Sequence, residues 1–388
     1  MQFNQVIGQQ KLKAHLIDTF RAERTAHAQI LVGPEGSGAL AMALAYAQYL
    51  MCEDPTETDS CGVCNACRKV HKNIHPDLHF SYPSIGTGKI STDFVKEWRE
   101  LLAESGPYIN LQQWLQKIGA ENQQGNITKN ECVDIVRKFS FTRVEGRYKI
   151  LVLWMPEFLV KEGNRLLKLI EEPEPNTVFI LVAERAEKIL NTILSRCQLA
   201  KVPQLSDEEV AEALIKEHQI PENQARQMGF LSNGNYTQAL QMVVEQGKDS
   251  DFAAIFADWL RACYQGREPM FGWVEYFNSG KHPHETKPLI SFKRKEQILF
   301  LQYGLFFLRE LVMLKLSGDV TKTRLSVGEQ KTAQGLAKLL SIEQIDELQR
   351  LFNNTIYFVE RNASGKILFM DASLQIHRIF RPLQVANK

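Results

Sequence analysis

The sequence predicts an α/β domain followed by domains built from helices alone. Three apolar runs, QILV (29–32), KILVLW (149–154) and TVFILVA (177–183), alternate with helical segments. Uninterrupted apolar runs are typical of parallel strands that helices cover on both faces. After Pro203 only helical patterns remain, beginning with the capping box SDEE at 206–209. We therefore expect a parallel sheet with flanking helices, and then an all-helical region.

Composition and charge limit the classes of function. Of the 388 residues, 44% are hydrophobic, which is enough to build the cores of two or three domains. The 46 Lys and Arg against 45 Asp and Glu leave a net charge of +1, so bulk charge does not predict a nucleic-acid binder. The longest apolar stretch, 297–316, contains Arg309 and Glu310 and is interpreted as a buried helix rather than a membrane span. Because the N-terminus also lacks the apolar core of a signal peptide, we expect a soluble, cytoplasmic protein.

Four clustered cysteines predict a closed metal site. Cys52, Cys61, Cys64 and Cys67 follow one another with eight, two and two intervening residues. A Cys-x2-Cys turn brings two thiolates to one Zn²⁺, and two further thiolates complete a tetrahedron without an open position for substrate. We therefore expect a structural zinc ion. An iron–sulfur cluster has the same ligand count and stays open as an alternative.

Three histidines follow the cysteines at helical spacing, His71, His75 and His79. Pro76 interrupts a helix just after the second of them, so the three side chains need not share a face. We interpret them as surface or packing residues rather than as a second metal site.

The segment LVGPEGSGAL (31–40) occupies the position of a phosphate-binding loop, between an apolar strand and the alanine-rich helix 39–51. Gly33, Gly36 and Gly38 supply the backbone turn. A working loop also needs Lys for charge and Ser or Thr as a Mg²⁺ ligand, and Ala39 and Leu40 stand in those two positions. A second glycine-rich segment, SIGTGKIS (84–91), lacks the required spacing. The sequence before it predicts no apolar strand, and we interpret the segment as an ordinary loop.

The order of the motifs resembles the AAA+ clamp-loader family of bacterial DNA polymerase III. The motifs that carry the resemblance occur in the family order: VIGQ (6–9), HAQILVGPEGSG (27–38), the four-cysteine insert, NRLLKLIEEPEPNTVFILVA (164–183) and LNTILSRCQ (190–198). The resemblance implies an α/β AAA+ domain, with a RecA-like parallel sheet, over residues 1–203. This domain would carry a zinc module at 52–67 and an insert at 83–147. A small helical lid (204–246) and an all-α collar (247–388) would follow.

The same resemblance predicts that the nucleotide site is degenerate. The family pattern places an acidic pair where Trp154 and Met155 stand, a polar sensor residue at Ala183, and a phosphate-contacting arginine at Thr237. Because these positions and the two loop positions all lack the charged or polar groups of the family pattern, little remains to stabilise charge on a reacting phosphate. We expect no ATP hydrolysis and little or no ATP binding.

The motif Ser195-Arg196-Cys197 is intact. The resemblance implies that Arg196 acts as an arginine finger in the ATP site of a neighbouring subunit. The alternative is that Arg196 caps a helix C-terminus or forms a surface ion pair, and Cys197 is interpreted as a small packing residue. Glu171 and Glu172 lie at the C-terminal end of a helix, which the helix dipole disfavours, so we expect a hydrogen-bonding partner for them rather than a solvated turn.

These expectations combine into one functional hypothesis. The resemblance implies a non-hydrolysing clamp-loader subunit in a hetero-oligomer with the motor (gamma/tau) and delta subunits. Its further partners would be the sliding clamp and primed DNA, with no membrane contact. The alternatives are an active motor ATPase and an unrelated zinc-containing DNA-binding protein. Within the insert, the amphipathic segments at 98–102 and 114–118 are expected to pack on the parent domain rather than to dock a partner.

Overall fold

The computed structural model describes residues 1–121, 123–245, 252–279 and 294–386. The chain forms two compact units, residues 1–213 with 234–238, and residues 214–233 with 239–388. The predicted division into three domains, at residues 203 and 246, stays a prediction. The segment GKHPHETKPL (280–289), which its Pro and His content predicts to be a loop, lies outside the described residues.

Within the described part of the first unit, five parallel strands form one sheet. The strands are β1 (Ala28–Val32), β2 (Leu78–Ser81), β3 (Lys149–Trp154), β4 (Thr177–Ala183) and β5 (Gln198–Lys201). They lie in the order β2-β3-β4-β1-β5, and their register places Ile30 opposite Leu181. Every side chain of β3 and β4 is buried, as expected for strands that are covered on both faces. The predicted parallel sheet is confirmed.

Two of these strands were not predicted from the sequence. β2, with the sequence LHFS, and β5, with the sequence QLAK, are short and partly polar, so neither forms an apolar run. β2 ends at Ser81, shortly before the loop at 84–91, so a short strand that is not an apolar run precedes this loop. The loop nevertheless forms no strand-to-helix phosphate cradle, and its Ser84 pairs with Asn126 in an isolated antiparallel bridge.

Helices surround the sheet and extend the first unit. They are α1 (Gln10–Arg21), α2 (Ala39–Met51), α3 (Asn65–His71), α4 (Val95–Ser105), α5 (Leu111–Lys117), α6 (Lys129–Phe139), α7 (Leu167–Glu171) and α8 (Asn191–Leu194). Every residue of α2 is buried, and this helix contacts β1, β3 and β4. Its many alanines let it approach the sheet closely. The predicted helix through 164–170 begins as a 3-10 helix (Val160–Leu166) and continues as α7, which ends before Pro173.

The amphipathic segments at 98–102 and 114–118 pack within the chain, as predicted. Trp98 of α4 and Trp114 of α5 are fully buried. The Trp98 ring stacks on Tyr82 with centroids 4.4 Å apart, and it lies 5.4 Å from the ring of Trp154 at the end of β3. The indole N–H of Trp114 donates to the carbonyl oxygen of Pro83 at 2.7 Å. Both amphipathic segments therefore use their apolar faces within the chain.

The remainder of the described chain is helical. These helices are α9 (Asp207–His218), α10 (Glu222–Leu231), α11 (Tyr236–Glu245), α12 (Phe252–Gln265), α13 (Arg267–Ser279), α14 (Arg294–Ser317), α15 (Val327–Leu339), α16 (Ile342–Glu360) and α17 (Gly365–Ala386). The capping box before α9 is confirmed, because the Ser206 N–H donates to the Glu209 carboxylate at 2.8 Å and the Glu209 N–H donates to Ser206 Oγ at 3.1 Å.

An aromatic core holds the second unit together. Trp259 of α12 stacks on Phe352 of α16 with ring centroids 5.8 Å apart, and its N–H donates to Ser373 Oγ of α17 at 2.9 Å. Helix α14 is long and apolar enough to cross a membrane by length and composition alone, but 61% of its most apolar window is buried within the protein. Its Phe300 and Phe306 are fully buried in this core, which confirms the predicted buried helix.

Candidate metal centre and phosphate-binding loop

The four predicted metal ligands converge on one point. The sulfur atoms of Cys52, Cys61, Cys64 and Cys67 all lie within 4.8 Å of one another. A tetrahedral zinc site with Zn–S bonds of about 2.3 Å has sulfurs about 3.8 Å apart, so this cluster needs only slight contraction around an ion. Backbone N–H groups also point at the sulfurs: that of Cys61 lies 3.2 Å from Cys52 Sγ, and that of Cys67 lies 3.3 Å from Cys64 Sγ. Such N–H···S contacts suit thiolate ligands.

Local structure holds the cysteines in place. Cys52 directly follows α2, and Cys64 caps the N-terminus of α3, which contains Cys67. Between them, the Asp59 carboxylate accepts hydrogen bonds from the backbone N–H groups of Phe3 at 2.9 Å and Ser60 at 2.7 Å. The cysteine segment is therefore anchored both to α2 and to the N-terminus of the chain.

The three histidines do not extend this site. Among the residues that the structure describes, the four cysteines are the only group of three or more potential ligands that could hold a metal. His71 is exposed, and His75 is buried with its Nδ1 accepting the backbone N–H of Asp77 at 3.2 Å. His79 packs edge-on against Phe139, and burial lowers its pKa to about 4. The interpretation of these histidines as surface and packing residues is confirmed.

The glycine loop has the backbone of a strand-to-helix turn. The Gly33 N–H donates to the carbonyl oxygen of Ala183 at 3.0 Å, which ties the loop to the end of β4. Gly36 and Gly38 have φ values of 75° and 89°, which disfavour any residue with a Cβ atom. A Cβ atom on Gly36 would also lie 2.0 Å from Asn235 Oδ1. The glycines are therefore required by the turn itself, whether or not a phosphate binds there.

The space beside this loop is filled by the chain. The remaining cavity measures about 30 Å³ and is lined by the loop, Trp154, Ala183, Glu184, Thr237 and residues 107–109. This volume matches about one water molecule, whereas ligand pockets usually measure about 300–1,000 Å³. Ala39 and Leu40 are buried at its floor. Ala39, Leu40, Trp154, Ala183 and Thr237 therefore meet at one place, whereas Met155, the other position of the predicted acidic pair, does not line this cavity.

Tyr108 of the insert is the main occupant. Its hydroxyl accepts the backbone N–H of Ile7 at 2.8 Å, and its carbonyl oxygen accepts the hydroxyl of Thr237 at 3.0 Å. Its ring packs edge-on against Tyr236 with centroids 4.8 Å apart, and it would contact a Cβ atom on Gly38 at 3.2 Å. One side chain therefore joins the N-terminal segment, the glycine loop and residues 234–238.

Acidic side chains border the same cavity. Burial, together with the nearby carboxylates of Glu35 and Glu157, raises the pKa of Glu184 to about 7. Glu35 Oε1 accepts the amide N–H groups of Asn110 and Asn235, each at 3.2 Å. Glu157 accepts the backbone N–H of Glu184 at 2.7 Å. Burial thus favours the neutral form of Glu184, whereas the carboxylate of Glu35 lies beside the loop, where negative charge opposes the binding of a phosphate.

Arg196 lies just beyond α8, apart from the glycine loop in the fold. Its Nε and Nη2 both bond Glu171 Oε1 at 2.5 Å, and its Nη1 donates to the carbonyl oxygen of Thr192 at 2.8 Å and to Ser195 Oγ at 3.3 Å. The expectation of a hydrogen-bonding partner is thus confirmed for Glu171. Cys197 packs against the apolar core, and burial raises the pKa of its thiol to about 11.

Comparison with known proteins identifies the family. A family model described as "DNA polymerase III, delta subunit" matches residues 8–206, which is more than half of the chain. The chain belongs to the delta-prime clamp-loader family. The DNA polymerase III subunit delta-prime of Haemophilus influenzae is 26% identical over 327 residues, which cover 82% of each chain. That of Bacillus subtilis is 25% identical over 239 residues, which cover 61% of this chain and 59% of the relative.

The chain is also similar to proteins named DNA polymerase III subunit gamma. The DNA polymerase III subunit gamma of Buchnera aphidicola is 23% identical over 247 residues, which cover 62% of this chain and 57% of that relative. This chain therefore spans less than two thirds of the length of several relatives.

Sequence reasoning missed part of this delta-prime site. It singled out the glycine loop, Trp154 and Thr237, but not Tyr108, Asn110 or Glu184. The box N-x-x-Q at 110–113 does predict a helix start, and the Gln113 N–H donates to Asn110 Oδ1 at 2.9 Å. Nothing in that local pattern indicates that the residues just before this helix reach a loop some 70 positions away.

Proposed function

We propose that the chain is a non-hydrolysing subunit of the cytoplasmic DNA polymerase III clamp loader. In this role it completes a hetero-oligomer with the motor (gamma/tau) and delta subunits, supports loading of the sliding clamp on primed DNA, and supplies Arg196 to the ATP site of a neighbouring motor subunit. The observation that carries the proposal is the filled cavity beside the glycine loop.

Three features of that cavity argue against ATP binding. Its volume of about 30 Å³ leaves no room for a triphosphate. Ala39 and Leu40 supply neither a cation nor a metal ligand, and Trp154 stands where the family pattern has an acidic residue. The carboxylate of Glu35, which also lines the cavity, places negative charge beside the loop. Catalysis of phosphoryl transfer depends almost entirely on positioning and charge stabilisation, and this site offers neither.

We further propose that the four cysteines hold one structural zinc ion. Sulfurs within 4.8 Å of one another suit a single ion. In a [4Fe–4S] cluster each cysteine binds a different iron, and in a [2Fe–2S] cluster two cysteines bind each iron, so both clusters separate the four sulfurs further than one shared ion does. When bound, the ion would cross-link α2 to α3. The anchoring of the same segment by Asp59 fits a stabilising role for the metal.

The role of Arg196 rests on the intact motif Ser195-Arg196-Cys197. A guanidinium that reaches the γ-phosphate of a neighbouring subunit can raise the hydrolysis rate by about 10³ to 10⁵. In the isolated chain Arg196 makes the contacts of the alternative interpretation, a surface ion pair and a bond to a helix C-terminal carbonyl group. Side-chain rotation would therefore have to accompany its action in the assembled complex.

The two alternative functions fit the residues less well. An active motor ATPase needs an open nucleotide site, and here Tyr108 occupies it. An unrelated zinc-containing DNA-binding protein would not require the ordered clamp-loader motifs, and a net charge of +1 offers little general attraction to DNA.

Two measurements test the proposal. A fluorescent ATP analogue titrated with Mg²⁺ into the full chain is expected to bind with a Kd weaker than about 1 mM, which corresponds to about −4 kcal/mol. Micromolar binding with steady turnover would refute a non-hydrolysing role. In the complex reconstituted with the motor and delta subunits, Arg196→Ala is expected to lower DNA- and clamp-stimulated ATP hydrolysis while the complex still assembles. Arg165→Ala, which removes another surface arginine paired with a glutamate, serves as the control.

A further inference from the structure

We propose that in the free subunit Glu171 holds Arg196 in an ion pair that keeps its guanidinium on its own chain, which we call the parked conformation. Assembly with the motor subunit would release Arg196 from this ion pair. This inference rests on the proposed role of Arg196 in a neighbouring ATP site. It assigns a positioning role to Glu171, the last residue of α7.

The guanidinium of Arg196 is committed within its own chain. Of its five N–H donors, Nε and Nη2 each give one to Glu171 Oε1 at 2.5 Å, and Nη1 gives one to the carbonyl oxygen of Thr192 at 2.8 Å. All three nitrogens are therefore engaged. A finger binds phosphate oxygens through these same nitrogens, so the contacts with Glu171 and with phosphate compete.

Charge leads to the same conclusion. A carboxylate in contact with the guanidinium neutralises it, and a neutral pair contributes little to the stabilisation of a γ-phosphate in the transition state. Arg196 gains its full effect only when it leaves Glu171. Glu171 in turn lies at the C-terminal end of α7, where the helix dipole disfavours a negative charge and a nearby cation compensates for it.

The pair is weak enough to break on assembly. The Arg196 and Glu171 side chains are 32% and 45% exposed. An exposed ion pair of this kind favours the paired over the released conformation of Arg196 by only about two- to fivefold, because solvent screens it. A γ-phosphate carries more charge than a carboxylate and can displace Glu171. Parking therefore sets how often Arg196 is available without preventing its use.

The test uses the complex reconstituted with motor and delta subunits, with ATP hydrolysis followed before and after addition of clamp and primed DNA. Glu171→Gln is expected to raise the kcat measured without clamp and DNA by about two- to fivefold with KM unchanged, because a finger acts in the transition state. Glu172→Gln is the matched control, since it removes one negative charge from the adjacent exposed position and should leave kcat unaltered. The double variant Glu171→Gln/Arg196→Ala should behave as Arg196→Ala.

The possible failures are distinguishable. If Arg196→Ala leaves hydrolysis unchanged, the proposed finger is wrong. If Arg196→Ala lowers hydrolysis but Glu171→Gln leaves it unchanged or also lowers it, the finger stands and the parking by Glu171 is refuted. A kcat increase in Glu172→Gln equal to that in Glu171→Gln would also overturn the proposal, because it would show a general effect of charge.

A measurement on the free chain tests the parked conformation directly. In ¹⁵N NMR, the Nε–H resonance of Arg196, assigned by its loss in Arg196→Lys, is expected to show slow exchange with water. Glu171→Gln should shift this resonance and speed its exchange, and Glu172→Gln should not. An Arg196 signal that is insensitive to Glu171→Gln would refute the ion pair in solution and with it the proposal.

Discussion

Replacing Glu184 by Gln should stabilise the protein at high pH and have little effect at low pH. Burial, with the neighbouring carboxylates of Glu35 and Glu157, raises the pKa of Glu184 from its ordinary 4.5 to about 7. The folded chain therefore binds this proton more tightly than the unfolded chain does. The resulting stabilisation is complete below about pH 4.5 and is lost as the pH rises through about 7. Glutamine cannot ionise and avoids this loss.

The size of the effect follows from the change in pKa. A rise of about 2.5 units corresponds to a ceiling of about 3.4 kcal/mol at 1.36 kcal/mol per unit. Glu184 is only half-buried, and solvent screening reduces this to about 1–2 kcal/mol in the free energy of unfolding. For a domain of this size, the melting temperature should rise by about 2–8 °C.

The assay is thermal unfolding of the full chain and of Glu184→Gln between about pH 5.5 and about pH 8.5. The difference in melting temperature between the two proteins should grow as the pH rises to about 7 and should level off above that value, where Glu184 is ionised in both the folded and the unfolded chain. Glu187→Gln, which removes an exposed carboxylate three residues away, should show no such growth. A difference for Glu184→Gln that stays constant over this range would refute the reasoning, because it would mean that ionisation of Glu184 does not affect stability.

Three further predictions concern the filled site and the cysteines. Tyr108→Phe should lower the free energy of unfolding by about 1–3 kcal/mol in urea titrations, because the buried Ile7 N–H loses its acceptor. An unchanged value would mean that water replaces the hydroxyl. The double variant Ala39→Lys/Leu40→Thr should still fail to bind a fluorescent ATP analogue, because Tyr108 and Trp154 continue to fill the cavity; recovered binding would place the main defect in the loop. Protein purified without chelator should contain about one Zn²⁺ per chain by metal analysis and should lose both the metal and thermal stability in Cys64→Ser, whereas Cys263→Ser should retain the metal. Stoichiometric iron, or equal metal content in both variants, would contradict the zinc assignment.

The elements that were predicted correctly are those whose physical signal is local. Continuous apolar runs identified β1, β3 and β4, and the capping box at Ser206 identified the start of α9. The missed strands, β2 and β5, are four residues long and partly polar, and their strand conformation comes from pairing with neighbours. Pairing energy is tertiary, so no window of sequence reports it.

The candidate sites divide in the same way. The four cysteines are close in sequence, and their spacing predicted the group of potential metal ligands that the fold brings together. Glu171 and Arg196 were each singled out, but their ion pair joins positions 25 residues apart and was not predicted. The pairing depends on where α7 and α8 end in space.

By itself, the sequence determined that Ala39 and Leu40 stand where a phosphate-binding loop has Lys and Ser or Thr, because the residue at one position is a property of the sequence alone. Only the tertiary structure decided what packs against the glycine loop. Tyr108 comes from an insert about 70 positions after the loop, and it reaches the cavity through long-range packing and hydrogen bonds to Ile7 and Thr237. Side-chain chemistry can be read from the order of residues, whereas the occupancy of a cavity depends on which distant segments fold against it.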